Sequence, residues 1–167
     1  MKKLLGWVII CVCVMGFQTV HKTDFSGSWK LDLKKSKNLP AAFKNVDRYI
    51  MEVQQNTDSL VAVVQMEGMG QKTSLPPLVC VFAHKEDYTE DTLRLAKHWI
   101  SSEWTSTGTK FIVHKKNVLQ VAQSEQRSTE TDVWMLKNRS TLIISVTQKL
   151  EKDGSTKSEQ RVFHRVK

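Results

Sequence analysis

Asp24-Phe25-Ser26-Gly27-Ser28-Trp29-Lys30-Leu31-Asp32-Leu33 places Trp29, Leu31 and Leu33 on one side of an extended chain and Ser28, Lys30 and Asp32 on the other. That period of two predicts a strand with one buried face. Upstream lies an apolar segment led by Lys2 and Lys3; downstream, short alternating runs fill the rest of the 167 residues. The join near residue 24 therefore separates two kinds of sequence.

The downstream runs read as hairpins. Residues 48–55 alternate, Asn56-Thr57-Asp58 supplies turn chemistry, and residues 59–67 continue as a second strand. Gly68-Met69-Gly70 closes that hairpin. Pro76-Pro77 delays the next paired strand to about Leu78, with an end near Ala83. Residues 85–95, with Asp87, Glu90 and Asp91 and no period, read as a loop, and residues 34–46 as a loop with room for one helical turn. Residues 99–105 and 110–115 flank Ser106-Thr107-Gly108, a hairpin signal, and residues 118–123 are rich in β-formers. Residues 129–136, 141–149 and 157–166 form an evenly spaced meander whose last turn carries Asp153-Gly154. About eight strands with short connections must hide their edges by closing into a barrel or stacking as a sandwich; closure is preferred, so the expected fold is all-β, an antiparallel up-and-down barrel. Residues 60–64 and 142–146 are apolar on both faces.

Residues 1–17 read as a secretory signal, with a charged end and an apolar stretch over residues 4–15 that is too short to span a bilayer comfortably. Cleavage is expected between about Gly16 and Thr23, dividing the chain into residues 1–22 (signal and lead) and a single domain over residues 23–167 in the periplasm or outside the cell. A lipid anchor is not expected, because Ile10 precedes Cys11 and Val12 precedes Cys13, where lipoprotein processing needs a small residue. Cys80 alone would remain, giving no internal disulfide; about 145 residues suffice for stability from a core. The net charge of +8, or +6 without Lys2 and Lys3, is dispersed along the chain. It predicts solubility and a weak pull toward anionic membrane surfaces, and it lacks the dense basic stripe of a nucleic-acid binder.

The opening Phe25-Ser26-Gly27-Ser28-Trp29-Lys30-Leu31-Asp32-Leu33-Lys34-Lys35-Ser36 and the ending Arg161-Val162-Phe163-His164-Arg165 resemble those of bacterial lipocalin-like domains of the calycin group. The segment Thr129-Glu130-Thr131-Asp132-Val133-Trp134-Met135-Leu136 is similar to the strand that carries a Trp before their last hairpin. The resemblance implies a barrel of about eight strands whose mouth receives one small apolar or amphipathic molecule. It further implies that Trp29 lies across the closed end, with Arg161 or Arg165 packed over it. Residues 68–97 depart from the family pattern.

The chemistry-bearing residues do not form a catalytic pattern. The five His are isolated, Gly-x-Ser-x-Gly is missing, and no His-Glu-x-x-His or glycine-rich phosphate loop occurs. No enzyme activity, metal or cofactor is expected. Tyr49, Met51, Trp104 and Trp134 are the candidate ligand-lining residues, while Trp99 and Trp104, an odd number apart, should point to opposite faces. The expected function is binding or carriage of a small hydrophobic or amphipathic molecule; the alternative is a cell-envelope interaction module with a filled barrel.

Overall fold

In a computed structural model, which describes residues 21–82, 86–91, 96–121 and 124–166, the chain is all-β. Eleven strands follow in order: β1 (Gly27–Leu31), β2 (Arg48–Gln55), β3 (Ser59–Gly68), β4 (Gln71–Ser74), β5 (Leu78–Val81), β6 (Asp87–Asp91), β7 (Ala96–Trp104), β8 (Lys110–Val121), β9 (Ser124–Asn138), β10 (Thr141–Leu150) and β11 (Thr156–Arg165). Each strand pairs antiparallel with its neighbours in one up-and-down sheet, ordered β4-β3-β2-β1-β11-β10-β9-β8-β7-β6, with β5 on the part of β3 that β4 leaves free. The first and last strands meet, Trp29 opposite Arg165 and Leu31 opposite Phe163. Hydrogen bonds do not close the sheet: β5 packs beside β7 without joining its ladder.

The local chemistry explains the hairpins. Asn56 Oδ1 accepts from the backbone N–H groups of Asp58 (2.8 Å) and Ser59 (2.7 Å), turning β2 into β3. At the last turn Asp153 Oδ1 accepts from Ser155 N at 2.9 Å and Gly154 takes φ +67°, a conformation in which a Cβ is strained. The expected helical turn is a 3₁₀ turn, Ala41–Asn45.

Four expectations change. The strands number eleven against about eight. Residues 87–91, read as a loop, form β6, whose exposed Tyr88, Thr89 and Glu90 suit a sheet edge and show no alternation. β4 (Gln-Lys-Thr-Ser) is exposed throughout and has no apolar face to betray it; it exists because the turn at Met69-Gly70 folds it back on β3. The two β-rich segments before and after Asn117 run on as the single strand β8. Residues 1–17, read as a secretory signal, lie outside the described residues.

One core fills the inner face: Trp29 and Leu31 of β1, Tyr49, Met51 and Val53 of β2, Leu60 and Ala62 of β3, Cys80 of β5, Phe111 and Val113 of β8, Trp134 of β9, Leu142, Ile144 and Val146 of β10 and Phe163 of β11. Side chains that alternate along these strands thus converge on a common interior. The two-sided apolar strands resolve the same way, with Leu60 and Ala62 buried inside and Val61 and Val63 half-buried outside.

Candidate functional site

At one end the interior is filled by rings. Phe25 stacks on Trp104 at 5.7 Å and meets Trp134 edge-on at 5.9 Å, and Phe82 meets Trp104 and Phe111 edge-on at 5.9 and 5.5 Å. These are preferred aromatic geometries. Lys22 lies 4.9 Å from the Phe82 centroid, and Thr23 N donates to Gly108 O at 2.9 Å, so the lead segment crosses this end.

The Gly-x-Trp opening belongs to the same end. The Arg165 guanidinium lies 4.3 Å over the Trp29 ring while its Nη1 donates to Ser26 O at 2.8 Å and its Nε to Arg139 O at 3.0 Å. Gly27 sits at φ +129°, and a Cβ there would collide with Arg165 Nη1. Of the two arginines expected near Trp29, Arg165 therefore takes the place, and Arg161 lies elsewhere.

Arg161 belongs to a row of ionised side chains inside the sheet. On β8 the inward series is Phe111, Val113, Lys115; on β9 it is Trp134, Asp132, Glu130; on β11 it is Phe163, Arg161, Glu159. Each strand thus exchanges apolar for charged side chains at a similar height. Lys115 Nζ donates to Glu130 Oε1 at 2.7 Å and to Asp132 Oδ2 at 2.6 Å, and Arg161 Nε donates to Glu159 Oε1 at 2.6 Å. The Arg161 guanidinium also lies 5.5 Å from the ring of Phe43, on the 3₁₀ turn, which packs 5.7 Å from Tyr49.

Three carboxylates face two cations here. The Asp132 side chain is only 5% exposed, and its Oδ1 has no hydrogen-bond partner. Burial pushes the Asp132 carboxyl up, although Lys115 pulls it down. Burial also opposes the charge on Glu130 and Lys115, but attraction to Lys115 lowers Glu130, and attraction to Asp132 and Glu130 raises Lys115. A lysine held protonated in this way is neither a nucleophile nor a base at neutral pH. Its chemistry is electrostatic.

Beyond the row lies a cavity of about 370 Å³, in the size range of small-molecule sites. His98, Asn117, Ser128 and Gln148 give it polar walls, and Ala96, Leu119 and Leu150 give it apolar ones. His98 Nδ1 and Asn117 Oδ1 are 2.8 Å apart. Gln148 is the register partner of Glu130, and Asn117 and Ser128 each stand two residues from a member of the Lys115–Glu130 pair. The Lys115–Glu130 pair therefore stands one inward position beyond the cavity's lining.

None of the four residues expected to line a ligand site borders this cavity. Trp104 and Trp134 stand in the aromatic end, each with an indole Nε1 that has no hydrogen-bond partner. Met51 is buried in the core, and Tyr49 packs between Phe43 and Phe163. Trp99 meets Tyr88 at 5.2 Å on the face opposite Trp104. Sequence reasoning missed Lys115, Glu130, Asp132 and Glu159, for which a signal exists: each is a charge in phase with the buried apolar positions of its own strand. Cys80 is buried, and desolvation pushes its thiol up to about 12, which leaves it inert. Among the described residues no three His, Cys, Asp or Glu side chains gather to hold a metal.

No family model matches this chain, and no curated protein is similar to it.

Proposed function

We propose that the curled sheet works as an exported, lipocalin-like barrel that binds a small amphipathic molecule in its open half and performs no chemistry on it. The observation that carries this reading is the division of the interior: rings fill one end, while the other holds a cavity of about 370 Å³, with ionised side chains between the two. Burying five charges without gain is costly, since an apolar set of the same volume is often as stable or more so. A charged row that orients the polar end of a guest accounts for that cost. Trp29 and Arg165 close the far end.

Native mass spectrometry of the protein purified from its exported fraction, followed by extraction, tests the reading. A bound amphipathic molecule released on denaturation is the expected result; a bare monomer that takes up no apolar probe overturns it. The interaction-module reading draws on one observation, the Tyr88 and Trp99 rings at the sheet edge, where Tyr88 is 52% exposed. A protein partner that protects β6 and β7 from hydrogen exchange would favour that reading.

A further inference from the structure

We infer that the guest of this cavity carries a positively charged polar end: an amphipathic amine whose ammonium binds at Glu130 and Asp132 while its chain lies along Ala96, Leu119 and Leu150. The inference rests on the binding reading above and names the ligand class for that site.

Charge balance comes first. Both cations of the row are already engaged, Lys115 by two carboxylates and Arg161 by Glu159, and Arg127, which borders the cavity, donates to Glu125 Oε2 at 2.8 Å. An anionic guest would find no unengaged cation among these and would enter beside three carboxylates. With Asp132 ionised, one further positive charge would bring three carboxylates and two cations to neutrality.

Hydrogen bonding points the same way. Asp132 Oδ1 is a buried acceptor without a donor, in a residue 3% exposed, and an unsatisfied buried acceptor costs about 1–3 kcal/mol. A guest that donates there recovers that cost, and an ammonium, with three N–H donors and a charge, recovers more than an alcohol does. Depth fits as well. Gln148 lies in the cavity wall opposite Glu130, and Asp132 stands one inward position deeper, about 7 Å along β9. The inferred guest extends from the apolar rim to that level, past the Lys115–Glu130 pair.

The test is calorimetric titration of the full chain with octylamine, octanoate and octanol. Octylamine is expected to bind at least about tenfold more tightly than octanoate. In Asp132→Asn, which keeps the shape of the side chain, that preference is expected to collapse while circular dichroism and the urea midpoint show a folded protein. If that variant fails to fold, N-octylacetamide on the wild-type protein carries the test: it keeps the chain and an N–H but not the charge, and it must bind at least about tenfold more weakly than octylamine. Octanoate or octanol binding as well as the amine, or undiminished amine binding in folded Asp132→Asn, overturns the inference and leaves the cavity reading standing. Failure of all the probes to bind overturns both.

Discussion

Asp132 and Lys115 set the energetics of the interior. Lys115→Met removes the partner of two carboxylates that remain enclosed, which should destabilise the fold by about 3–5 kcal/mol at pH 7. The sign of the pH dependence follows from burial. Without Lys115, desolvation raises both carboxyls above their unfolded values near 4, so the folded state binds protons more tightly. The variant's deficit is therefore greatest at neutral pH and shrinks as pH falls through the raised values, which urea unfolding at pH 7 and pH 4.5 will show. Gly27 is constrained differently, by a positive φ and by the guanidinium that crosses it. Gly27→Ala should cost at least about 2 kcal/mol, more than the 0.5–2 kcal/mol of the Arg165–Trp29 contact. In Gly27→Ala combined with Arg165→Ala the two losses should fall short of additive, measured by thermal unfolding. Tyr49, Met51, Trp104 and Trp134 were legible as interior residues because they alternate with polar ones; which of them meets open space was not, because that depends on neighbours from other strands.

Strands and turns were legible wherever local chemistry fixes them. Asn56, Gly108 and Asp153-Gly154 mark the turns at which β2–β3, β7–β8 and β10–β11 fold back, and each was readable from the residues alone. β4 and β6 were not, since a short polar edge strand owes its existence to the backbone groups of its neighbour and not to its own side chains. Their amides should accordingly exchange with solvent orders of magnitude faster than those of β10, which has strands on both sides. The exit from β1 is a further local device. Asp32 Oδ1 accepts from Lys34 N (3.1 Å) and Lys35 N (3.0 Å), and Oδ2 lies 3.1 Å from His164 Nε2. Burial opposes its charge, but these donors outweigh burial and lower the carboxyl. A lowered acid stabilises above its unfolded value and ceases to do so as pH falls through the folded one. Asp32→Ala should therefore cost about 1 kcal/mol at pH 7, and its difference from wild type should fade below about pH 4.

The seam between β5 and β7 is a property of the whole molecule. It is held by packing, with Phe82 against Trp104 at 5.9 Å, instead of by a backbone ladder. Since burial pushes the Cys80 thiol up to about 12, thiolate is roughly a thousandfold scarcer than for an ordinary cysteine. A thiol reagent at pH 8 should modify Cys80 slowly in the native protein and rapidly in urea; fast native labelling would mean that the seam opens readily. The amphipathic guest proposed here should slow labelling further by stabilising the folded state. What the sequence determined by itself was local: alternation placed side chains on inner or outer faces, Gly, Asn and Asp placed the turns, and Trp29 with Gly27 marked the first strand. Which charges share one interior, which arginine covers Trp29 and where space remains were decided by tertiary structure. Lys115 and Asp132 are 17 residues apart and Arg165 and Gly27 are 138 apart, and such pairs meet only because strand register brings them to one height. Periodicity reports which way a side chain points, whereas register and curvature decide what it meets.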